Sequence, residues 1–196
     1  MHVFLWTGGV EVAPKIKDKE GVTVGMQGWQ IHVTLQPTAD QLRQVNDALF
    51  LKILQAKKWP YRVRSNIETY CNEASSNRGY GKFITIYPQQ DDVSENRVEQ
   101  VARACVDIDQ ARIPGKIIQP AENQRPTGDW RLDRNLSTWI SIRFGVFWGA
   151  NNVGVYDYAS GNQSDDDWKQ PYPAFLRQEA EMLQAQLKVH GLTVKH

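Results

Sequence analysis

Cysteine is scarce in this chain of 196 residues, with Cys71 and Cys105 the only two. Neither lies in a C-x-x-C pair or a Cys/His cluster, which argues against a structural metal or a disulfide framework. No oxidising compartment is then required, and a reducing cytoplasm is the expectation. Long apolar runs are missing too. Nothing approaches the ~20 apolar residues of a membrane-spanning helix. The short apolar start Met1-His-Val-Phe-Leu-Trp6 has no basic flank and no cleavage site after it, so it does not read as a signal peptide. Charge of one sign is also lacking. The net +1 gives no general reason to expect nucleic acid or a membrane surface as partner. Gly79 and Gly81 are not followed by the Gly-Lys-Ser/Thr ending of a P-loop, which removes a phosphate cradle of that type. Of the four histidines, His2, His190 and His196 lie near the ends, and His32 alone is interior.

What is present fits one globular domain over residues 1–196. Hydrophobic residues make up 41% and aromatics 10%, enough for a core without staples at this length. Residues 1–28 are strand-like and punctuated by glycine. Residues 29–35 alternate, with Ile31, Val33 and Leu35 on one face and Gln30, His32 and Thr34 on the other. After Pro37, Thr38 and Gln41 form a capping box for a helix whose stripe is Leu42, Val45, Leu49 and Ile53. A strand over 60–64, a short helix near 66–74 and a strand over 82–87 follow. Asp91, Asp92 and Ser94 offer capping oxygens to a helix carrying Val98, Val101, Ala102 and Cys105. Residues 110–137 read as loops with one short strand, and 138–144 as a strand. A polar stretch over 149–173 contains Asp165-Asp166-Asp167. A last helix near 173–188 carries Leu176, Ala180, Leu183 and Leu187. Short, irregularly connected strands favour α+β: a compact domain with a mixed or antiparallel sheet flanked by helices. Trp29, Trp59, Trp130, Trp139 and Trp148 are expected in the core and at its rim.

Chemistry gathers on the polar sides of the strands. His32 is set on what reads as an open polar face, where an imidazole can exchange protons near neutral pH. Alternation puts Arg62 with Arg64 in one strand, and Arg143 with Ser141 opposite Ile140, Ile142 and Phe144 in another. One histidine among arginines suits a phosphorylated group, because a guanidinium fork donates two parallel hydrogen bonds and stays charged. His32-Val33-Thr34 also fits the His-x-Thr signature of two-histidine phosphoesterases. That chemistry needs a second copy, and Phe83-Ile-Thr85 has phenylalanine where the histidine belongs.

Three stretches carry a resemblance: Gly28-Trp-Gln-Ile-His-Val-Thr34, Pro60-Tyr-Arg-Val-Arg-Ser65, and Arg78-Gly-Tyr-Gly-Lys-Phe-Ile-Thr-Ile-Tyr-Pro88. Together with Ser141-Ile-Arg143-Phe-Gly145, they resemble the lyase domains of class III and class IV lanthipeptide synthetases. The same order of elements is similar to that of the secreted phosphothreonine lyases of bacterial pathogens. The likeness is strongest over 28–147 and implies a phosphothreonine lyase-like fold. It also implies β-elimination of phosphate from phosphoserine or phosphothreonine in a precursor peptide, leaving a dehydroamino acid. By that likeness His32 is the general acid, with Lys82 and Arg62 as the other catalytic positions. Gln30, Arg64, Arg78, Arg134 and Arg143 bind phosphate or substrate. The reaction implied needs no metal and no organic cofactor. With no kinase motif and no room for one, a separate kinase and a separate cyclase are the partners implied.

Two positions depart from the family pattern. Gln30 stands where a lysine is usual, and Arg62 stands where the lysine base is expected; the alternative register through Lys58 puts Pro60 at the base. Arginine, with a pKa above ~12, is a poor base. Three accounts stay open: Lys82 as base, Arg62 as base in a desolvated setting, or a domain that binds phosphopeptide without elimination. An effector-type phosphothreonine lyase is a further alternative.

Overall fold

The computed structural model describes residues 15–17, 23–34, 53–57, 59, 61–63, 67–72, 81–88, 94–111, 130–133, 139–148 and 174–195. Among the described residues there are seven strands: β1 (Lys15–Lys17), β2 (Thr23–Val33), β3 (Tyr61–Val63), β4 (Ile84–Ile86), β5 (Trp130–Asp133), β6 (Ile140–Trp148) and β7 (Thr193–Lys195). They form one sheet in the order β3-β4-β2-β6-β5-β7, with β1 paired to β2. Every pairing among the described residues is antiparallel, and with the helices the class is α+β. The helices are α1 (Gln55–Lys57), α2 (Ile67–Asn72), α3 (Ser94–Gln110) and α4 (Ala174–Val189). No described helix is long and apolar enough to cross a membrane.

Alternation builds the sheet's apolar side. Trp29, Ile31 and Val33 of β2 are buried, as are Ile84 and Ile86 of β4, Leu132 of β5, and Ile140, Ile142 and Phe144 of β6. Helix α3 buries Val98, Val101, Ala102, Cys105 and Ile108 in the same core, and α4 adds Ala180, Leu183 and Leu187. These positions recur at three- and four-residue steps, the stripe a helix needs to lie on a sheet. The core also holds Trp139, Tyr70 and Phe83, the last two edge-to-face with centroids 5.1 Å apart.

A polar cluster joins the two helices to the strands. The Trp29 indole N–H donates to Glu179 Oε1 at 2.8 Å, and Arg97 grips the same carboxylate through Nε at 2.6 Å and a terminal nitrogen at 2.7 Å. The Arg97 guanidinium lies 5.8 Å from the centre of the Phe144 ring, which meets Trp29 edge-on. One carboxylate thereby satisfies a buried indole and a buried guanidinium together.

The chain reverses after α4 by a glycine cap. Gly191 takes φ of +74°, its N–H donates to Lys188 O at 3.0 Å, and Leu192 N–H donates to Leu187 O at 2.9 Å. The pair is a Schellman motif, and Leu187 and Leu192 are both buried, as that motif favours. The cap sends the chain back as β7, a strand that the three residues Thr193-Val-Lys195 do not announce by pattern. Elsewhere the elements shift by a few residues: β2 ends at Val33 rather than 35, β4 is shorter than 82–87, and β6 runs on to Trp148. The helix expected from Thr38, apart from Ile53, and the 149–173 stretch lie outside the described residues. So do the side chains of Cys71, Leu176, Trp130 and Trp148.

Candidate functional site

Cross-strand register assembles the polar side of the sheet. His32 on β2 lies opposite Thr85 on β4 and, on the other flank, opposite Ser141 on β6. Thr85 in turn lies opposite Arg62 on β3, and Ser141 opposite Arg131 on β5, which lies opposite Lys195 on β7. One row therefore runs Arg62–Thr85–His32–Ser141–Arg131–Lys195 across six strands. The rows on either side are apolar: Val63–Ile84–Val33–Ile140–Leu132–Val194, and Tyr61–Ile86–Ile31–Ile142–Trp130. Two residues along from His32, Gln30 faces Arg143 on β6. Residues directly opposite in antiparallel strands are ~5 Å apart at Cβ, so Thr85, His32, Ser141 and Arg131 each lie within reach of the next.

The face is polar, but it is not open at the histidine, which corrects the sequence expectation. His32 is 1% exposed and Ser141 2%, whereas Gln30 and Arg143 are half-buried. A buried imidazole must have its nitrogens satisfied. His32 Nε2 lies 3.1 Å from Gln30 Oε1, a contact that the two-residue repeat of a strand makes possible. An amide oxygen only accepts, so this contact is a hydrogen bond in the tautomer that carries the proton on Nε2.

Lys82 enters from the loop before β4. Gly81 has φ of +71°, a conformation that L side chains rarely adopt, and its carbonyl accepts a 2.6 Å hydrogen bond from the buried Thr34 hydroxyl. Phe83 N–H donates to Val33 O at 3.1 Å, and Thr34 N–H donates to Trp139 O at 2.9 Å. Lys82 is thus held next to the end of β2, two residues beyond His32, and is half-buried.

Of the residues expected at the site, His32, Gln30, Arg143, Arg62 and Lys82 come together on or beside the three strands β2, β4 and β6 and the adjoining edge strand β3. For Arg62 this is a statement of register. Arg64, Arg78 and Arg134 lie outside the described residues. Arg131 and Thr85 join the row without standing among the residues that the sequence marks for this site. The alternation in Trp130-Arg-Leu132 and Ile84-Thr-Ile86 is the signal that could have found them. Among the described residues, no group of three or more His, Cys, Asp or Glu side chains is placed to hold a metal ion. Cys105 is a free thiol in the core, its pKa pushed far up by burial and further by the nearby Asp109 carboxylate, which suits an inert packing role.

A family model described as RamC, N-terminal domain, matches residues 15–117, more than half of the chain. The matched segment includes Gln30, His32, Arg62 and Lys82 and stops before Arg131 and Arg143. No curated protein and no solved structure matches the chain.

Proposed function

The chain belongs to the RamC N-terminal domain family, and from that premise we propose that it eliminates phosphate from phosphoserine or phosphothreonine in a precursor peptide. RamC is a lanthipeptide-type synthetase, which relates the chain to lanthipeptide-type biosynthesis. The observation that supports the finer reading is the row joining His32 to Arg62 through Thr85, with Arg143 opposite Gln30 two residues along and Lys82 tied to the end of the histidine strand.

The α-proton of a peptide residue is weakly acidic, so its removal needs a neutralised phosphate and a stabilised enolate. Arg143, opposite Gln30, and Arg62, beyond Thr85 from His32 in the same row, supply fixed positive charge for the phosphate. Lys82, as the free amine, takes the α-proton. The electrons of that C–H bond form the Cα=Cβ bond as the Cβ–O bond breaks, and His32 gives its proton to the departing phosphate. The products are a dehydroamino acid and inorganic phosphate. A lysine base requires surroundings that favour its neutral amine, such as neighbouring positive charge. Phosphorylation of the peptide must come before this step and ring closure after it, with a kinase and a cyclase as the activities that supply them.

A second reading is a phosphopeptide-binding module without catalysis. Arg62 favours it, because a guanidinium stays protonated where the family expects a lysine base.

The test is incubation of the full chain with phosphoserine and phosphothreonine peptides, followed by mass spectrometry. Loss of the mass of phosphoric acid, abolished in both His32→Ala and Lys82→Ala with the fold intact, is the expected result. Full activity in both variants would remove this site. Loss of the phosphoryl mass alone would mean hydrolysis and overturn the lyase reading. Saturable binding with no mass change would leave the binding module.

A further inference from the structure

Gln30 invites a different assignment from the one its place in the family pattern implies. Where a lysine would offer charge to phosphate, this chain has a neutral amide, and its oxygen lies 3.1 Å from His32 Nε2. Gln30 also faces Arg143 directly across the β2–β6 ladder. A lysine there would set two cations opposite each other, an unfavourable cross-strand pair. An amide avoids that repulsion and supplies what a lysine cannot, an acceptor. His32 is buried, so hydrogen bonds to its ring, the one with Gln30 among them, bear on which of the two nitrogens holds the proton.

We infer that Gln30 is a positioning residue for His32: its side-chain oxygen holds the Nε2–H, fixes the ring in the Nε2–H tautomer, and leaves proton gain and loss to Nδ1. The inference deepens the proposed elimination by naming the nitrogen through which His32 acts, and only that last step rests on the lyase reading.

The experiment is long-range proton–nitrogen NMR of the histidine rings in the full-length, nitrogen-15-labelled chain, above neutral pH, with His32 identified by its absence in His32→Asn. The wild type is expected to show Nε2 protonated and Nδ1 bare. Gln30→Glu keeps an acceptor and should keep that pattern. Gln30→Lys has donors only and should reverse it, because an ammonium beside Nε2 requires a lone pair there. Wild-type His32 in the Nδ1–H form overturns the inference, and so does a pattern that Gln30→Lys, still folded by its amide spectrum, leaves unchanged. If Gln30→Lys does not fold, the wild type and Gln30→Glu decide. The phosphopeptide assay is read independently. Nε2–H without elimination removes the lyase reading and leaves the Gln30–His32 assignment standing, and Nδ1–H in an active wild type does the reverse.

Discussion

Replacing Glu179 by alanine removes the acceptor for three buried or part-buried donors at once: the Trp29 indole and two nitrogens of Arg97. The side chains of Arg97 and Glu179 are only 13% and 5% exposed, so solvent cannot step in for the lost carboxylate. Breaking such a pair by deleting one partner costs about 3–5 kcal/mol, because the other charge stays buried and uncompensated. The orphaned indole belongs to the same event and is not an additional sum. At this chain length the loss corresponds to a fall in Tm of about 6–20 °C. Glu179→Gln keeps an oxygen for Trp29 and loses the charge, so it should fall between wild type and Glu179→Ala. Arg97→Met combined with Glu179→Gln removes both charges while preserving the acceptor for the indole, and should recover much of the stability. Urea unfolding followed by tryptophan fluorescence, arranged as a double-mutant cycle, measures the coupling. A cost below about 1 kcal/mol for Glu179→Ala, the range of exposed pairs, would refute the reasoning. So would strict additivity of the two substitutions. The cluster matters for the site because Trp29 and Phe144 flank Gln30 and Arg143 along β2 and β6. Loosening it should also lower phosphopeptide turnover.

Three further outcomes are expected. Thr34→Val removes the hydroxyl that holds the Gly81 carbonyl and should cost about 1–3 kcal/mol. It should lower kcat more than it raises KM, because Lys82 loses its anchor, and Thr34→Ser should restore both. Gly191→Ala should cost about 1–2 kcal/mol in urea unfolding. That cost would come from the left-handed φ alone, since an added Cβ would meet nothing within 4 Å. Cys105, raised by burial above its ordinary value of 9.0, keeps its proton in the folded chain after the unfolded thiol has lost it. Its stabilising contribution is full below the unfolded thiol pKa and declines as pH rises beyond it. In a Cys71→Ser background, its reaction with a thiol reagent should therefore track global unfolding, and rapid labelling of the native chain would contradict the buried assignment.

Much of the secondary structure is legible because it is local. Ile31 and Val33 alternate with Gln30 and His32, and Val98, Val101, Ala102 and Cys105 fall on one helical stripe, so each segment declares its buried side unaided. The last helix does the same through Ala180, Leu183 and Leu187. Strand β7 is not legible, since it exists through the Gly191 cap and its pairing with β5 rather than through any period of its own. Arg97 and Glu179 each look like ordinary polar positions on helix surfaces. Only the packing of α3 and α4 over Trp29 makes them a pair.

The candidate site divides along the same line. Residue types and their alternation within strands are properties of the chain itself, and they already mark His32, Arg62 and Arg143 as residues of one chemical character. Which of them face one another is settled by register between strands far apart in sequence, because a one-residue slip in any ladder would break the polar row. Tertiary structure alone therefore decided that Arg62, Thr85, His32, Ser141 and Arg131 line up, that His32 is buried, and that Gln30 turns its oxygen to the imidazole rather than to solvent.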